Sequence, residues 1–148
     1  EHRAAMVSPG LREKQRYRPA QWAHGPMMHT YDGPGEPWHG FAAAHEIAGV
    51  EGIAIIPMAG HSRGHAAVAV ESDDRGMLVH AGDALFDAAS IGASAPDGHK
   101  LPPRRALRAF EQIVATHRSR IAGNHRALQR MVVEQSAFVF SAHDPRVF

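Results

Sequence analysis

The chain contains no cysteine, which excludes a disulfide framework and any thiolate metal site. It has no run of about 18 apolar residues, so no transmembrane helix is expected. The opening carries no signal-peptide pattern. The expectation is a cytoplasmic protein with no membrane partner. An excess of either charge is lacking too: 16 Lys and Arg stand against 15 Asp and Glu, a formal charge of +1. A strongly basic nucleic-acid surface is therefore not indicated, and no nucleic-acid partner is expected. What remains is the make-up of an ordinary soluble globular protein, 44% apolar and 21% charged. A chain of 148 residues is long enough for one domain with a core. The unusual count is 12 His. Imidazole is the commonest metal ligand, so the count favours a metal site, although surface composition alone would give the same number. Arg far exceeds Lys and Ala is abundant, a composition that points to a GC-rich bacterial source.

Residues 57–70 read Pro-Met-Ala-Gly-His-Ser-Arg-Gly-His-Ala-Ala-Val-Ala-Val, and the rest of the chain is organised around them. Residues 52–58 form an apolar run and are expected as a buried strand. A polar turn then carries His61 and His65, and a second apolar run, 66–70, leaves it. A glycine-rich turn at a strand end lets a histidine approach a metal closely, because Gly tolerates the tight backbone. Residues 77–83, Met-Leu-Val-His-Ala-Gly-Asp, and residues 137–145, Ala-Phe-Val-Phe-Ser-Ala-His-Asp-Pro, repeat the pattern of an apolar run ending in a candidate ligand. Three strand ends thus deliver His61, Asp83 and His143. Imidazole nitrogen and carboxylate oxygen are adequate ligands for zinc and similar ions. His80, alone in its strand, is expected to be structural.

Residues 1–7 read as the tail of a helix stopped by Pro9-Gly10. Residues 11–21 are basic and helical up to Pro19. Residues 21–38 hold two Trp, one Tyr and two His among Gly and Pro breakers. They are expected as loop with a short strand at 28–31. Such aromatics either cover a pocket or anchor the connection to the core. Residues 40–47 are expected as a strand. Residues 71–76 form a hairpin turn, so that 52–58, 66–70 and 77–81 make a meander. Residues 87–103 read as unpatterned loop. Pro102-Pro103 opens a helix with Leu107, Phe110, Val114 and His117 on one face, Ile113 widening it, and His117 partly buried. A second helix is expected over 124–135, with Asn124 as N-cap and Leu128, Met131, Val132 and Gln135 on one side. Residues 137–141 form the last strand. The pattern gives a layered α/β (α+β) fold and allows several α/β arrangements.

Gly60-His61-Ser62-Arg63-Gly64-His65, then Ala81-Gly82-Asp83-Ala84-Leu85-Phe86, then Ser141-Ala142-His143-Asp144-Pro145 resemble, in order and spacing, the metallo-β-lactamase superfamily of metallohydrolases. The His-Asp-Pro ending looks most like its lactonase-like and uncharacterised branches. The resemblance covers about residues 50–148. The superfamily's first motif, H-x-H-x-D-H, does not occur, and His24, His29, His39 and His45 do not reproduce it. Together with a first residue that is Glu, this is explained if residues 1–148 are the C-terminal part of a single metallo-β-lactamase-like domain, half of an αββα sandwich.

The resemblance implies two zinc ions in the complete protein, with iron or manganese as alternatives. It gives His61 to the first metal, Asp83 to both as a bridge, and His143 to the second. The reaction implied is lactone, ester or amide-type hydrolysis of a small-molecule substrate by metal-activated water. His65 is expected to pack or hydrogen-bond behind the ligands rather than bind metal. Asp144 either orients His143 or simply makes an Asp-Pro turn, the latter preferred. Lacking the first motif, the truncated chain itself is expected to be inactive. The alternative is a non-catalytic truncated relative that binds a metal or a partner. A homo-oligomer is left open.

Overall fold

In the computed structural model residues 2–31, 33 and 35–147 are described. The chain divides into two compact units, Glu1–Gly33 and Pro34–Phe148. In the first, α1 (His2–Val7) and α2 (Leu11–Arg16) are followed by a 3-10 turn at Pro19–Gln21. This is the helix, break and helix expected, though Glu1 lies outside the described residues. The strand expected at 28–31 does not form. Met27 and Met28 are exposed there, so the segment has no apolar face to bury against a neighbouring strand. Trp22 lies against Tyr17, ring centroids 6.4 Å apart.

The second unit is a six-stranded sheet in sequence order. Its strands are β1 (Glu36–Trp38), β2 (Phe41–Glu46), β3 (Ile53–Pro57), β4 (Ala66–Ser72), β5 (Gly76–His80) and β6 (Phe138–Phe140). The first five run antiparallel, and β6 joins β5 in parallel. That last pairing requires a crossover, and the chain between β5 and β6 supplies it with α3 (Arg105–Val114) and α4 (Arg118–Glu134). Trp38 is partly buried against the core, which favours the anchoring role for this ring.

Strand alternation decides which face is buried. Ala54, Ala69, Val79 and Val139 are paired across β3 to β6 and almost fully buried. Leu128 and Met131 of α4 belong to the same core. In α4 the buried residues are Ile121, His125, Leu128 and Met131, spaced four, three and three apart as one helical stripe. The helix begins six residues earlier than expected, and Asn124 is not its N-cap. His117 occupies the cap position instead, so it does not extend a face of α3 either. α3 starts at Arg105 rather than at the prolines. Its apolar face is also turned: Phe110 is 53% and Ile113 64% exposed, whereas Glu111 is 1% exposed. Residues 87–103 are not featureless loop. Ala88–Ile91 is a 3-10 turn, and Ala88, Ile91, Ala93 and Ala95 lie in the core.

The opposite face of the sheet carries two apolar rows. Ile53, Val70, Leu78 and Phe138 are register partners, and so are Ile55, Val68, His80 and Phe140. These side chains are half-buried or exposed. Apolar area left in contact with water favours association. The 148-residue chain expressed alone should therefore bind a hydrophobic dye and associate with rising concentration. Sedimentation and dye fluorescence check this; a dye-negative monomer would contradict it.

Candidate metal centre

Each of the three candidate ligands sits just past a strand. β3 ends at Pro57, and the loop that follows is pinned from several sides. Met58 N donates to His65 O (2.8 Å) and Gly60 N to Ser62 O (3.0 Å). Asn124 Nδ2 donates to Met58 O and Ala59 O at 3.2 and 3.1 Å. Thr116 closes on the ligand residue itself, its N and Oγ1 both donating to His61 O at 3.1 and 3.0 Å. A Cβ at Gly60 would meet Asn124 Nδ2 at 3.0 Å and Ile121 Cδ1 at 3.2 Å, so those side chains would have to give way by a few tenths of an ångström. β5 runs through Ala81 into a 3-10 turn, Gly82–Ala84, that carries Asp83. β6 runs through Ser141 and Ala142 to His143, with Ala142 N donating to Gly82 O at 3.3 Å.

The three side chains meet on the carboxylate. His61 Nε2 is 3.2 Å from Asp83 Oδ2, and His143 Nε2 is 3.0 Å from Asp83 Oδ1. Each imidazole therefore faces a different oxygen. The ring of Phe86, 3% exposed, backs both, its centroid 5.8 Å from His61 and 4.5 Å from His143. Asp83 and His143 remain open to solvent, with side chains 32% and 48% exposed.

The donor chemistry suits a borderline divalent cation: two imidazole nitrogens and two carboxylate oxygens, with no sulfur. Separations of 3.0 and 3.2 Å between nitrogen and oxygen suit a hydrogen-bonded pair and equally two ligands that each stand about 2.0–2.2 Å from one ion. Among the described residues no group of three or more His, Asp or Glu is arranged to hold an ion.

His65 does not face Asp83 in any of these contacts. Its Nε2–H donates to the carbonyl of Ala81 at 3.1 Å, and its ring lies over Gly82. Gly82 has φ +53°, and a Cβ there would come within 2.9 Å of His65 Cε1. Gly82→Ala should cost about 1–3 kcal/mol from backbone strain with the clash added. Combining it with His65→Ala should recover the clash part only. Thermal unfolding of the three variants checks this, and a neutral Gly82→Ala would contradict it.

Asp144 is more than an Asp-Pro turn, the role the sequence preferred. It is followed by a 3-10 turn, Pro145–Val147, but its side chain is fully buried. Arg146 Nε donates to its Oδ1 at 2.7 Å, Arg146 Nη2 to its Oδ2 at 2.6 Å, and Ala88 N to its Oδ2 at 3.0 Å. Burial works to raise the carboxyl, but the hydrogen bonds from Arg146 and Ala88 outweigh it and hold the group below the usual carboxylate range. The bond to Asp144, ahead of a lesser one to Asp87, pushes the guanidinium up against its own desolvation.

Sequence reasoning missed Phe86, Asp87 and Arg146 at this site. It also missed a second buried set, in which His125 Nε2 pairs with Glu111 Oε1 at 3.0 Å and His125 Nδ1 meets Ser90 Oγ at 3.2 Å. One signal was available: Asp87 and Glu111 are acidic residues interrupting apolar stretches, and a buried acid needs a partner.

No family model matches the chain. Over 155 aligned residues it is 37% identical to a probable metallo-hydrolase of Mycobacterium bovis and to one of Mycobacterium tuberculosis. The match takes in 100% of this chain and 46% of each relative, so the chain spans about half the length of these proteins. Among solved structures, an N-acyl homoserine lactone hydrolase with its product N-hexanoyl-L-homoserine at the catalytic metal centre is 19% identical. It superimposes with TM-score 0.46 over 69% of this chain and 34% of that one. A substituted AiiA of B. thuringiensis with N-decanoyl-L-homoserine at its active site gives the same TM-score, 0.46, and the same identity, 19%.

Proposed function

We propose that the chain, 37% identical over its whole length to two mycobacterial probable metallo-hydrolases, is part of a metallo-β-lactamase-like hydrolase and supplies part of a dinuclear metal centre for hydrolysing a small lactone, ester or amide. The observation that carries the reading is the Asp83 carboxylate, with His61 on one oxygen and His143 on the other. A carboxylate flanked in this way is suited to bridge two cations, since it offers one oxygen to each and lowers their mutual repulsion. His61 with Asp83 would hold one ion, and Asp83 with His143 the other. Zinc is the first candidate, and iron or manganese accept the same donors. Such a group, when bound, acidifies water towards a pKa near 7 and polarises a carbonyl. The chain's own residues contribute orientation. Phe86 excludes water from the far side of both imidazoles, and the Thr116, Asn124 and Ala142 hydrogen bonds fix the three loops.

Three ligands divided between two ions leave each under-coordinated, so the 148 residues alone are expected to be inactive. A second reading, a relative that binds a metal or a partner without catalysis, is favoured by the half-exposed apolar rows on the second face of the sheet. One experiment separates the two. The full encoded protein is purified, its metal content measured by mass spectrometry, and its turnover tested on a panel of lactones, esters and amides. Near two metals per chain with turnover supports the hydrolase. One metal or none, without turnover, refutes it. Among the described residues no helix is long and apolar enough to cross a membrane.

A further inference from the structure

We propose that Arg146 is a positioning residue of the metal centre, a guanidinium clamp that sets the spacing between the segment carrying Asp83 and the segment carrying His143. The inference rests on the dinuclear reading of that site.

The clamp joins three pieces of chain. Arg146 Nε and Nη2 grip Asp144, the residue after His143, at 2.7 and 2.6 Å. Arg146 Nη2 also reaches Asp87 Oδ1 at 2.8 Å, and Asp87 lies four residues past Asp83. Arg146 Nη1 donates to Pro102 O at 2.7 Å. The carboxylates return bonds to the backbone: Asp144 Oδ2 accepts from Ala88 N at 3.0 Å, and Asp87 Oδ2 from Arg104 N at 2.9 Å. The segment 82–91 is thereby tied to 141–147 on one side and to the entry of α3 on the other. Asp83 and His143 ride on the two tied segments.

The residue types matter. Both carboxylates are fully buried and the guanidinium is 15% exposed. Two buried carboxylates share one guanidinium in a poorly solvated place. Such an arrangement persists only with good hydrogen-bond geometry. A guanidinium offers a planar fork that serves two carboxylates and a carbonyl at once; an ammonium is a point donor and cannot reproduce it. Outer hydrogen-bonding partners of metal ligands commonly carry 10–100-fold in metal affinity.

The test uses the full encoded protein, zinc as the probe, and competition with a chromophoric chelator to measure affinity. The variants are Arg146→Lys and Asp87→Asn, with Phe41→Ala as a control that opens the core at β2, separated from β5 by β3 and β4. Arg146→Lys should lose about 10–100-fold in zinc affinity, and Asp87→Asn a smaller amount in the same direction. Phe41→Ala should lower the melting temperature while keeping the parent's zinc affinity. If Arg146→Lys does not fold, Asp87→Asn decides on its own. Clamp variants that lose stability but keep the parent's affinity would overturn the inference and leave the metal centre standing. A parent that takes up no zinc would overturn the metal-centre reading and this inference with it.

Discussion

Asp83→Ala in the full encoded protein should remove most hydrolytic activity and most bound metal together. Asp83 is the one group that both imidazoles face, His61 at 3.2 Å and His143 at 3.0 Å. Losing it deprives both proposed ions of a ligand and leaves two cations with no charge between them. The loss in kcat/KM should exceed the roughly 10–100-fold that outer hydrogen-bonding partners carry. His65→Ala should fall within that range, because its hydrogen bond is to the Ala81 carbonyl and its ring meets His61 edge-on at 6.1 Å, so it acts from behind the ligands. Metal per chain by mass spectrometry and kcat/KM on both variants check the difference. Equal losses would mean that His65 is itself a ligand, and an active, metal-replete Asp83→Ala would end the bridging-carboxylate reading.

That His61, Asp83 and His143 stand just past strand ends was legible because it depends on local pattern. An apolar run of strand length that breaks at Gly or Ala before a His or Asp states both where the strand stops and what stands at its end. β3, β5 and β6 follow this rule, and His61, Asp83 and His143 stand just beyond them. The helix boundaries were less legible. Asn124 has the chemistry of an N-cap, but its amide is used on Met58 and Ala59, 66 and 65 residues away. The tertiary bond fixes its position inside α4, and no helix rule reports such a bond. α3 shows the same competition. Spacing alone places Phe110 on the buried face, yet burial of Glu111 with its His125 partner turns the helix and leaves Phe110 half-exposed.

The Arg146–Asp87 and Glu111–His125 pairs were not legible because each joins residues well apart in sequence, although Arg146 and its other partner Asp144 are only two residues apart. Asp87 and Arg146 are 59 residues apart, and nothing near either position marks the other. The absent sulfur was a better guide: without cysteine, any metal has to be sought among imidazoles and carboxylates, which is where the three strand ends lead. The opposite face of the sheet remained half-legible. Its alternation is readable residue by residue, but what covers Val68 and Phe140 is not written in these strands.

His125→Ala should be among the most destabilising single changes in the chain. Glu111 is 1% exposed, and His125 Nε2 at 3.0 Å is the partner of its Oε1. Truncating the imidazole strands a carboxylate in a poorly solvated place, which costs about 3–5 kcal/mol. It also takes the partner from Ser90 Oγ, loosening the 3-10 turn that follows the Asp83 segment. For a chain of this size that corresponds to a fall of roughly 6–20 °C in Tm. The sign changes when both partners go. Replacing a buried polar pair by apolar side chains of similar volume is often neutral, so Glu111→Leu combined with His125→Leu should recover most of the loss. The single cost therefore measures the stranded charge, not the worth of the pair. Denaturant unfolding of the two single variants and the double gives the coupling energy. If the three losses simply add, or if His125→Ala costs less than about 1 kcal/mol, the pair does not hold α3, α4 and the Ser90 turn together.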